Sequence, residues 1–217
     1  MTAERKNPEL PHEDPFNLTE WEETFRQHNW DYLAKIEETP RYSVIAGYIH
    51  KLIHDGRILD AGCGEGVLVD YLDLSRIAYT GFDLSPTAID RARQRYGGLN
   101  LFSSPIETFI PPENERFDII VFNEVLSQLG HPIRELDRFT AFLKPGGHVI
   151  ISLFQSPRPE ARGAVATRIL EAEMAARRIA PVAAAEVLNC ETGLRWKIYC
   201  LRDPLTGGGA PTELHAL

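Results

Sequence analysis

Clustered positive charge and long apolar runs are both missing from this chain. Lys and Arg total 23 against 31 Asp and Glu, which gives a net charge of −8, and no large basic block occurs. A surface that tracks phosphates needs clustered Lys and Arg, so a nucleic-acid partner is not expected. No apolar run approaches the ~20 residues of a membrane span, and no apolar stretch follows Met1–Lys6 as in a signal peptide. The sequence therefore predicts no membrane partner.

Cysteine is scarce, and its spacing excludes the usual metal and disulfide frameworks. The chain has three cysteines, Cys63, Cys190 and Cys200, without metal-ligand spacing. A turn at residues 191–193 puts Cys190 and Cys200 out of register across a predicted hairpin, so we expect free thiols. The sequence thus predicts no metal site and a reducing, cytoplasmic location.

The composition predicts one globular domain with extensions. The chain has 217 residues, 43% of them hydrophobic, which is enough for an ordinary core. We predict a flexible arm at 1–18, a helical lid at 19–55, the main domain at 56–202 and a flexible tail at 203–217. The lid begins at Thr19-Glu20-Trp21-Glu22, a capping box in which Thr and Glu satisfy free backbone donors reciprocally.

Strands and helices alternate through the main domain. Apolar runs predict strands at 58–60, 78–83, 99–103, 117–123 and 148–154, and a terminal hairpin at 182–189 and 194–201. Helical spacing follows most of these runs, including residues 67–72 and 160–178. This order predicts an α/β fold with a parallel sheet, helices on both faces and one antiparallel strand from the hairpin.

The most informative segment is the glycine loop Asp60-Ala61-Gly62-Cys63-Gly64-Glu65-Gly66. A strand followed by closely spaced glycines is where open α/β sheets bind nucleotides. A dinucleotide fingerprint reads G-x-G-x-x-G, whereas here the third glycine comes one residue early. Glu65 beside it would repel a pyrophosphate. The loop therefore favours a nucleoside with positive charge and no phosphate, such as S-adenosylmethionine, over a nicotinamide dinucleotide.

Four motifs in order resemble the class I S-adenosylmethionine-dependent methyltransferases over roughly residues 42–201. They are the glycine loop, Gly81-Phe82-Asp83-Leu84-Ser85, Phe117-Asp118-Ile119-Ile120 with Asn123-Glu124-Val125-Leu126, and Leu143-Lys144-Pro145-Gly146-Gly147. The resemblance implies a doubly wound, Rossmann-like sheet of seven strands in the order 3-2-1-4-5-7-6, with strand 7 antiparallel. It also implies S-adenosyl-L-methionine as the cofactor.

The resemblance implies roles for residues at the ends of the first three strands. Asp60, Gly62, Cys63 and Gly64 would bind the methionine end of the cofactor. Asp83 would accept hydrogen bonds from both ribose hydroxyls, because Ser85 is the better cap for the helix that starts at Pro86. Leu84 and Ile106 would pack on the adenine, and Ser104, with Ser103 as its neighbouring alternative, would bind the adenine amino group.

The fourth strand departs from the family at its end. Asn123 and Glu124 would lie beside the sulfonium, but Ser127 and Gln128 stand where many members have Glu-His or Tyr-Tyr. These two polar side chains are catalytic candidates that orient a substrate, and no general base is evident. The alternative is a purely structural role for the pair.

The segment before the main domain supplies the last candidates. Lids of this family fold over the site, and aromatic faces can stabilise a sulfonium by cation–π attraction. Arg41 can pair with the methionine carboxylate, and Tyr42 is the third catalytic candidate. Aromatic side chains precede them along the lid, at Trp21, Phe25, Trp30 and Tyr32. The alternative for these side chains is ordinary helix packing.

Together these features predict a methyltransferase that acts on a small-molecule metabolite. A second hypothesis keeps the cofactor but transfers its aminocarboxypropyl arm or closes a ring within it, releasing methylthioadenosine. A nicotinamide oxidoreductase and a non-catalytic cofactor-binding protein are further alternatives. The acceptor atom and the oligomeric state stay open at this stage.

Overall fold

The computed structural model describes residues 18–112 and 115–202. The predicted tail at 203–217, and the predicted arm apart from Leu18, lie outside the described residues. The helices are α1 (Leu18–Arg26), α2 (Thr39–Leu52), α3 (Pro86–Arg95), α4 (Pro132–Thr140) and α5 (Arg162–Arg177). The strands are β1 (Gly56–Ala61), β2 (Ile77–Asp83), β3 (Asn100–Ser103), β4 (Phe117–Asn123), β5 (Leu143–Phe154), β6 (Ala183–Leu188) and β7 (Arg195–Arg202).

The seven strands form one sheet in the order β3-β2-β1-β4-β5-β7-β6. Strands β1 to β5 pair in parallel, whereas β7 is antiparallel to both β5 and β6. The predicted fold and strand order are confirmed. The carboxyl ends of β1, β2 and β4 lie side by side, because Ala61 pairs with both Phe82 and Phe122.

Apolar side chains cover both faces of the sheet. Phe82, Phe122 and Phe139 belong to the core on one face. On the other face, Ile45 and Ile49 of α2 are fully buried against the sheet. The near-continuous apolar run of β4 is what a parallel strand buried on both faces requires. Helix α2 therefore anchors the segment before the sheet to the core.

Two local predictions were wrong. The segment after the glycine loop is a short 3-10 helix, Val67–Tyr71, and not an α-helix. Only ten residues separate Gly66 from β2, and the chain is already extended at Leu72. Thr19 lies inside α1, which begins at Leu18, so it is not the N-cap of a capping box.

Among the described residues, no helix is long and apolar enough to cross a membrane. The same residues contain no group of three or more His, Cys, Asp or Glu side chains that could hold a metal ion. All three cysteines are free, with Cys200 buried and Cys190 exposed.

Candidate active site

A pocket of about 640 Å³ opens at the carboxyl edge of the sheet. Its floor is formed by the residues that follow β1, β2, β3 and β4, and α1 and the 3-10 helix Asp31–Ala34 cover it. Of the 14 site residues predicted from the sequence, 13 line this pocket, namely Arg41, Tyr42, Asp60, Gly62, Cys63, Gly64, Asp83, Leu84, Ser104, Ile106, Asn123, Glu124 and Gln128.

The glycine loop is held tightly under the pocket. The backbone N–H groups of Gly62 and Cys63 both donate to the carbonyl oxygen of Phe82, at 2.8 and 2.9 Å. Gly62 has a φ of +71°, and a Cβ there would lie 2.5 Å from Cγ2 of Val125. Only glycine satisfies both the backbone angle and the space. The loop therefore presents bare backbone to the pocket.

Asp83 at the end of β2 is positioned by two backbone donors. Its Oδ2 accepts from the N–H of Gly64 at 2.8 Å, and its Oδ1 accepts from the N–H of Ser85 at 2.9 Å. A carboxylate has about four acceptor positions, so each oxygen retains one for a ligand. Ser85 Oγ accepts from the N–H of Ala88 and caps α3, as predicted.

Asp60 is a buried carboxylate with one free oxygen. The hydroxyl of Tyr79 donates to its Oδ2 at 2.8 Å, whereas its Oδ1 has no partner within the described part of the chain. Burial raises the pKa of Asp60 from 3.8 to about 7, and the charge of Asp83 adds to this. A cationic group in the pocket would meet an unused acceptor here.

The raised pKa of Asp60 predicts a pH-dependent stability. The unfolded chain loses this proton near pH 4 and the folded chain near pH 7, so the folded state holds an extra proton between these values. The stability of the wild type should therefore fall relative to Asp60→Asn as the pH rises from about 4 to 7, with a slope approaching about 1.4 kcal/mol per unit. Above pH 7 the difference should be constant. Urea unfolding of both proteins from pH 5 to 8 measures this difference in the free energy of unfolding. A difference that does not change with pH would contradict the raised pKa of Asp60.

The far end of the pocket lies beside β3. Ser104, rather than the exposed Ser103, lines it, and the N–H of Ser104 donates to the carbonyl oxygen of Asp83 at 2.9 Å. Leu84 and Ile106 add apolar surface. Glu107, which the sequence did not single out, also lines this end, and its buried Oε1 has no partner in the described ranges.

Arg41 occupies the centre of a buried polar network. Its side chain is 2% exposed, and it donates from Nη1 to Asn123 Oδ1 at 2.7 Å and from Nη2 to Glu38 Oε2 at 3.0 Å. Glu124 Oε1 lies 3.9 Å from Nη1. The guanidinium also lies 4.6 Å from the ring centre of Tyr42. This network fixes Arg41 at the pocket wall with donor capacity to spare.

Glu124 joins the end of β4 to the end of β5. Its φ of +67° is in the left-handed region, which is uncommon for a residue with a side chain. Ser152 Oγ donates to its Oε1 at 2.6 Å, and the N–H of Phe154 donates to its Oε2 at 2.8 Å. These bonds hold a strained residue at the pocket, as is common at functional sites.

The three catalytic candidates have different positions. Gln128 lines the pocket, whereas Ser127 is not among the lining residues, and its role in the site stays a prediction. The two residues lie in the 3-10 helix Leu126–Gln128, in which successive side chains point about 120° apart. Tyr42 lines the pocket, but burial raises its pKa to about 12. Tyr42 therefore keeps its proton at neutral pH and can donate a hydrogen bond but not act as a base.

Two side chains, Glu22 and Arg91, join α3 to the segment predicted as a lid. Glu22 accepts from Ser85 Oγ at 2.5 Å and from the hydroxyl of Thr87. Arg91 donates to the carbonyl oxygen of Phe25 and to Glu65, both at 2.7 Å. Glu22 therefore caps another helix instead of its own, and Glu65 is paired rather than free at the loop.

We predict that the order of residues 19–42 depends on the cofactor and on Glu22. Amide exchange in this segment should slow when S-adenosylhomocysteine is added, because a closed lid excludes water from the site. Glu22→Gln should speed exchange about fivefold without ligand, since it weakens bonds worth roughly 1 kcal/mol. Glu23→Gln, on the exposed side of α1, is the matched control. If the amide exchange rates in residues 19–42 are the same with and without S-adenosylhomocysteine, this segment only packs against the domain and is not a cofactor-dependent lid.

The sequence missed a second wall of the pocket, formed by the ends of β5 and β7. This wall is lined by Phe154, Leu194 and Trp196. The rings of Phe154 and Trp196 are arranged edge to face, with 6.2 Å between their centroids. Glu38, which is 2% exposed, also lines the pocket. The alternation of apolar and polar residues from Leu194 onward predicts that Trp196 and Leu194 lie on the same face of the sheet. It does not predict that these two side chains line the pocket.

Acidic side chains outnumber basic ones in the lining of the pocket. Its lining contains Arg41 and Arg95 but, within the described chain, no lysine. The carboxylates that line it are those of Asp31, Glu38, Asp60, Glu65, Asp83, Glu107 and Glu124. Glu65 is paired with Arg91 and Arg95 with Asp70. Such a pocket suits a cationic ligand and disfavours phosphates.

Fold and site together define a Rossmann-like nucleoside-binding protein with an acidic pocket. A protein-family profile described as "Methyltransferase domain" matches residues 22–180. The chain belongs to this methyltransferase family, and the predicted resemblance is confirmed.

Sequence relatives match about half of the chain. Ubiquinone biosynthesis O-methyltransferase of Coxiella burnetii is 34% identical over 99 residues, which cover 44% of this chain and 42% of that protein. The enzyme of the same name from Vibrio vulnificus is 28% identical over 100 residues, with 44% and 43% covered. The match thus spans less than half the length of these relatives.

Solved structures share the fold over most of the chain. The 1,6-didemethyltoxoflavin-N1-methyltransferase of Burkholderia thailandensis, solved with 1,6-didemethyltoxoflavin and S-adenosylhomocysteine, has a TM-score of 0.68 and 22% identity, with 88% of this chain and 91% of that chain covered. The N-methyltransferase NodS of Bradyrhizobium japonicum, solved with S-adenosylhomocysteine, has a TM-score of 0.62 and 21% identity, with 81% and 91% covered.

Proposed function

We propose that this chain transfers a methyl group from S-adenosylmethionine to a small molecule. The observation that carries the proposal is the acidic pocket over the glycine loop, with Asp60 and Asp83 at adjacent strand ends. S-adenosylmethionine has a sulfonium, an ammonium and a carboxylate, hence one net positive charge and no phosphate. Its volume and that of a small acceptor suit a pocket of about 640 Å³. We also propose that the protein is cytoplasmic and does not bind nucleic acid.

The residues present fit this cofactor. The free Oδ1 of Asp60 is a buried acceptor without a partner among the described residues, and the methionine ammonium is a donor. Each oxygen of Asp83 keeps one acceptor position for a ribose hydroxyl. Arg41 keeps an unpaired Nε within the described chain, along with unused Nη hydrogens for the methionine carboxylate.

The chain contributes alignment more than acid–base chemistry. The bound cofactor would supply an electrophilic methyl carbon to the acceptor's lone pair, with sulfur as the leaving group that keeps the carbon–sulfur electrons and S-adenosylhomocysteine as the product. Alignment of two reactants can contribute roughly 7–11 kcal/mol. The lid residues Asp31–Ala34 cover the pocket and would exclude water. Tyr42 keeps its own proton, so it would not take the proton of the acceptor, which would pass to bulk solvent when the covering segment opens.

Asp83→Ala should weaken S-adenosylhomocysteine binding by about 1.5–3 kcal/mol, the range for hydrogen bonds to a charged group. The fold should persist, because Asp83 lies at a strand end and Ser85 still caps α3. Calorimetry on the folded variant measures the loss. Ser103→Ala, beside the pocket but not lining it, is the control and should bind like the parent. An unchanged affinity for Asp83→Ala would remove the ribose assignment.

The relative affinities of the chain for S-adenosylhomocysteine and NAD test the proposal as a whole. The purified chain is titrated with S-adenosylhomocysteine and, separately, with NAD by calorimetry. We expect binding of the first and none, or far weaker binding, of the second, because the pocket carboxylates repel a pyrophosphate. Tighter binding of NAD would overturn the proposed function.

A further inference from the structure

The pocket extends along the sheet edge past β4 to the ends of β5 and β7, on the side away from β3. Asp83 and Ser104, the residues predicted to bind the ribose and the adenine, follow β2 and β3, so the nucleoside would occupy the β3 side of the pocket. The other side is bounded by Gln128, Leu129, Phe154, Leu194 and Trp196, with Glu38 at its rim. We call this side the acceptor compartment, a name that rests on the proposed function.

The walls of the acceptor compartment are suited to a flat ring. Phe154 and Trp196 are paired across β5 and β7, and their rings meet edge to face. The guanidinium of Arg41 lies over the indole ring of Trp196, 5.6 Å from its centre. Rigid aromatic walls of this kind favour aromatic ligands by edge-to-face and stacking contacts.

One polar atom in the acceptor compartment is unsatisfied. Gln128 lines the pocket, and its Nε2 donates to Ser127 Oγ at 3.3 Å. Its Oε1 is buried and has no hydrogen-bond partner within residues 18–112 and 115–202. A buried acceptor without a partner is unfavourable, and a ligand N–H or O–H would satisfy it.

The charge at the acceptor compartment selects against anions. Its one guanidinium, that of Arg41, is already held by Glu38 at 3.0 Å and faces Glu124 at 3.9 Å. The proposed function assigns the remaining donors of Arg41 to the methionine carboxylate, so this guanidinium is not left for an acceptor anion, and the described lining contains no lysine. An acceptor carboxylate or phosphate would meet like charge in a partly buried site, which is strongly unfavourable.

We propose that the methyl acceptor is a neutral or cationic aromatic compound whose N–H or O–H donates to Gln128, and that anionic acceptors are rejected. The pocket thus selects the acceptor by its flat aromatic ring, by one N–H or O–H that donates to Gln128, and by the absence of negative charge. The nitrogen or oxygen that is methylated loses its proton to solvent when its lone pair bonds to the methyl carbon.

Indole probes test each part of this proposal on the full chain saturated with S-adenosylhomocysteine. Tryptophol is neutral, tryptamine cationic and indole-3-acetate anionic, all on the same ring. By calorimetry we expect tryptophol and tryptamine to bind at least tenfold more tightly than indole-3-acetate. Tryptophol methylated on the ring nitrogen should bind at least threefold more weakly than tryptophol, and Gln128→Leu should remove this difference.

A charge substitution gives the sharpest comparison. Gln128→Lys should tighten indole-3-acetate binding at least tenfold, whereas Gln94→Lys, exposed on α3 and outside the pocket, should not change it. Each variant is first titrated with S-adenosylhomocysteine. Failure of the wild type to bind S-adenosylhomocysteine would refute the proposed function. Normal cofactor binding with no indole binding, or with indole-3-acetate bound as tightly as tryptophol, would refute only the acceptor class.

Discussion

Replacement of Arg41 by methionine is expected to lower the free energy of unfolding by about 3–5 kcal/mol, the range for loss of one partner of a buried ion pair. Arg41 and Glu38 are 2% and 3% exposed in their side chains, so the substitution leaves a buried carboxylate without its cation. Asn123 loses the donor to its Oδ1 as well. Urea unfolding at pH 7 measures the change, and calorimetry should show weaker S-adenosylhomocysteine binding.

Two further variants separate burial from charge. Arg41→Met with Glu38→Gln should recover part of the loss, because the buried uncompensated charge is removed. Arg76→Met, at a surface pair with Asp73 in which both side chains are 50% exposed, should change stability by less than about 1 kcal/mol. Equal effects of Arg41→Met and Arg76→Met would contradict the buried network.

Gly62→Ala is expected to lower stability by about 2–5 kcal/mol and to abolish measurable cofactor binding. The φ of +71° contributes about 1–2 kcal/mol of strain for a residue with a Cβ. The contact with Val125 Cγ2, at 2.5 Å, adds about 1–3 kcal/mol of overpacking. The loop must shift to relieve it, and the shift carries Asp60 and Gly64 away from their positions. Thermal unfolding and calorimetry measure both effects.

Gly193 provides a matched comparison for Gly62. Its φ is +72°, but a Cβ there would meet nothing within 4 Å. Gly193→Ala should therefore lower the free energy of unfolding by the backbone strain alone and leave cofactor binding unchanged. The double variant Gly62→Ala, Val125→Ala should regain the stability that Gly62→Ala loses through overpacking, but not the stability lost through backbone strain. If Gly62→Ala is no more harmful than Gly193→Ala, the close approach of the loop to Val125 does not constrain the site.

Local patterns and ordered motifs were sufficient to predict the sheet. Apolar runs located six of the seven strands to within two residues at each end, whereas β5 begins at Leu143, five residues before the predicted start. The order 3-2-1-4-5-7-6 followed from the resemblance carried by four spaced motifs. The cap of α3 by Ser85 was also predictable, because Ser before Pro86 is a strong helix cap. These features depend on neighbours close in sequence.

The features that sequence could not predict depend on contacts between distant segments. Glu22 has the spacing of a capping-box residue, yet it binds Ser85 and Thr87, which are more than 60 residues away. The network of Arg41 spans Glu38 on its own helix and Asn123 on β4. Trp196 reaches the pocket only because β7 inserts antiparallel beside β5. No local periodicity encodes such pairings.

The nucleoside product formed from S-adenosylmethionine tests the central claim most directly. The purified chain is incubated with cofactor labelled on the methyl group and a set of neutral and cationic aromatic acceptors, and the products are separated and analysed by mass spectrometry. The account predicts S-adenosylhomocysteine together with a labelled, methylated acceptor, both formed in smaller amounts by Asp83→Ala at limiting cofactor concentration. Methylthioadenosine as the nucleoside product, with no label on any acceptor, would contradict methyl transfer.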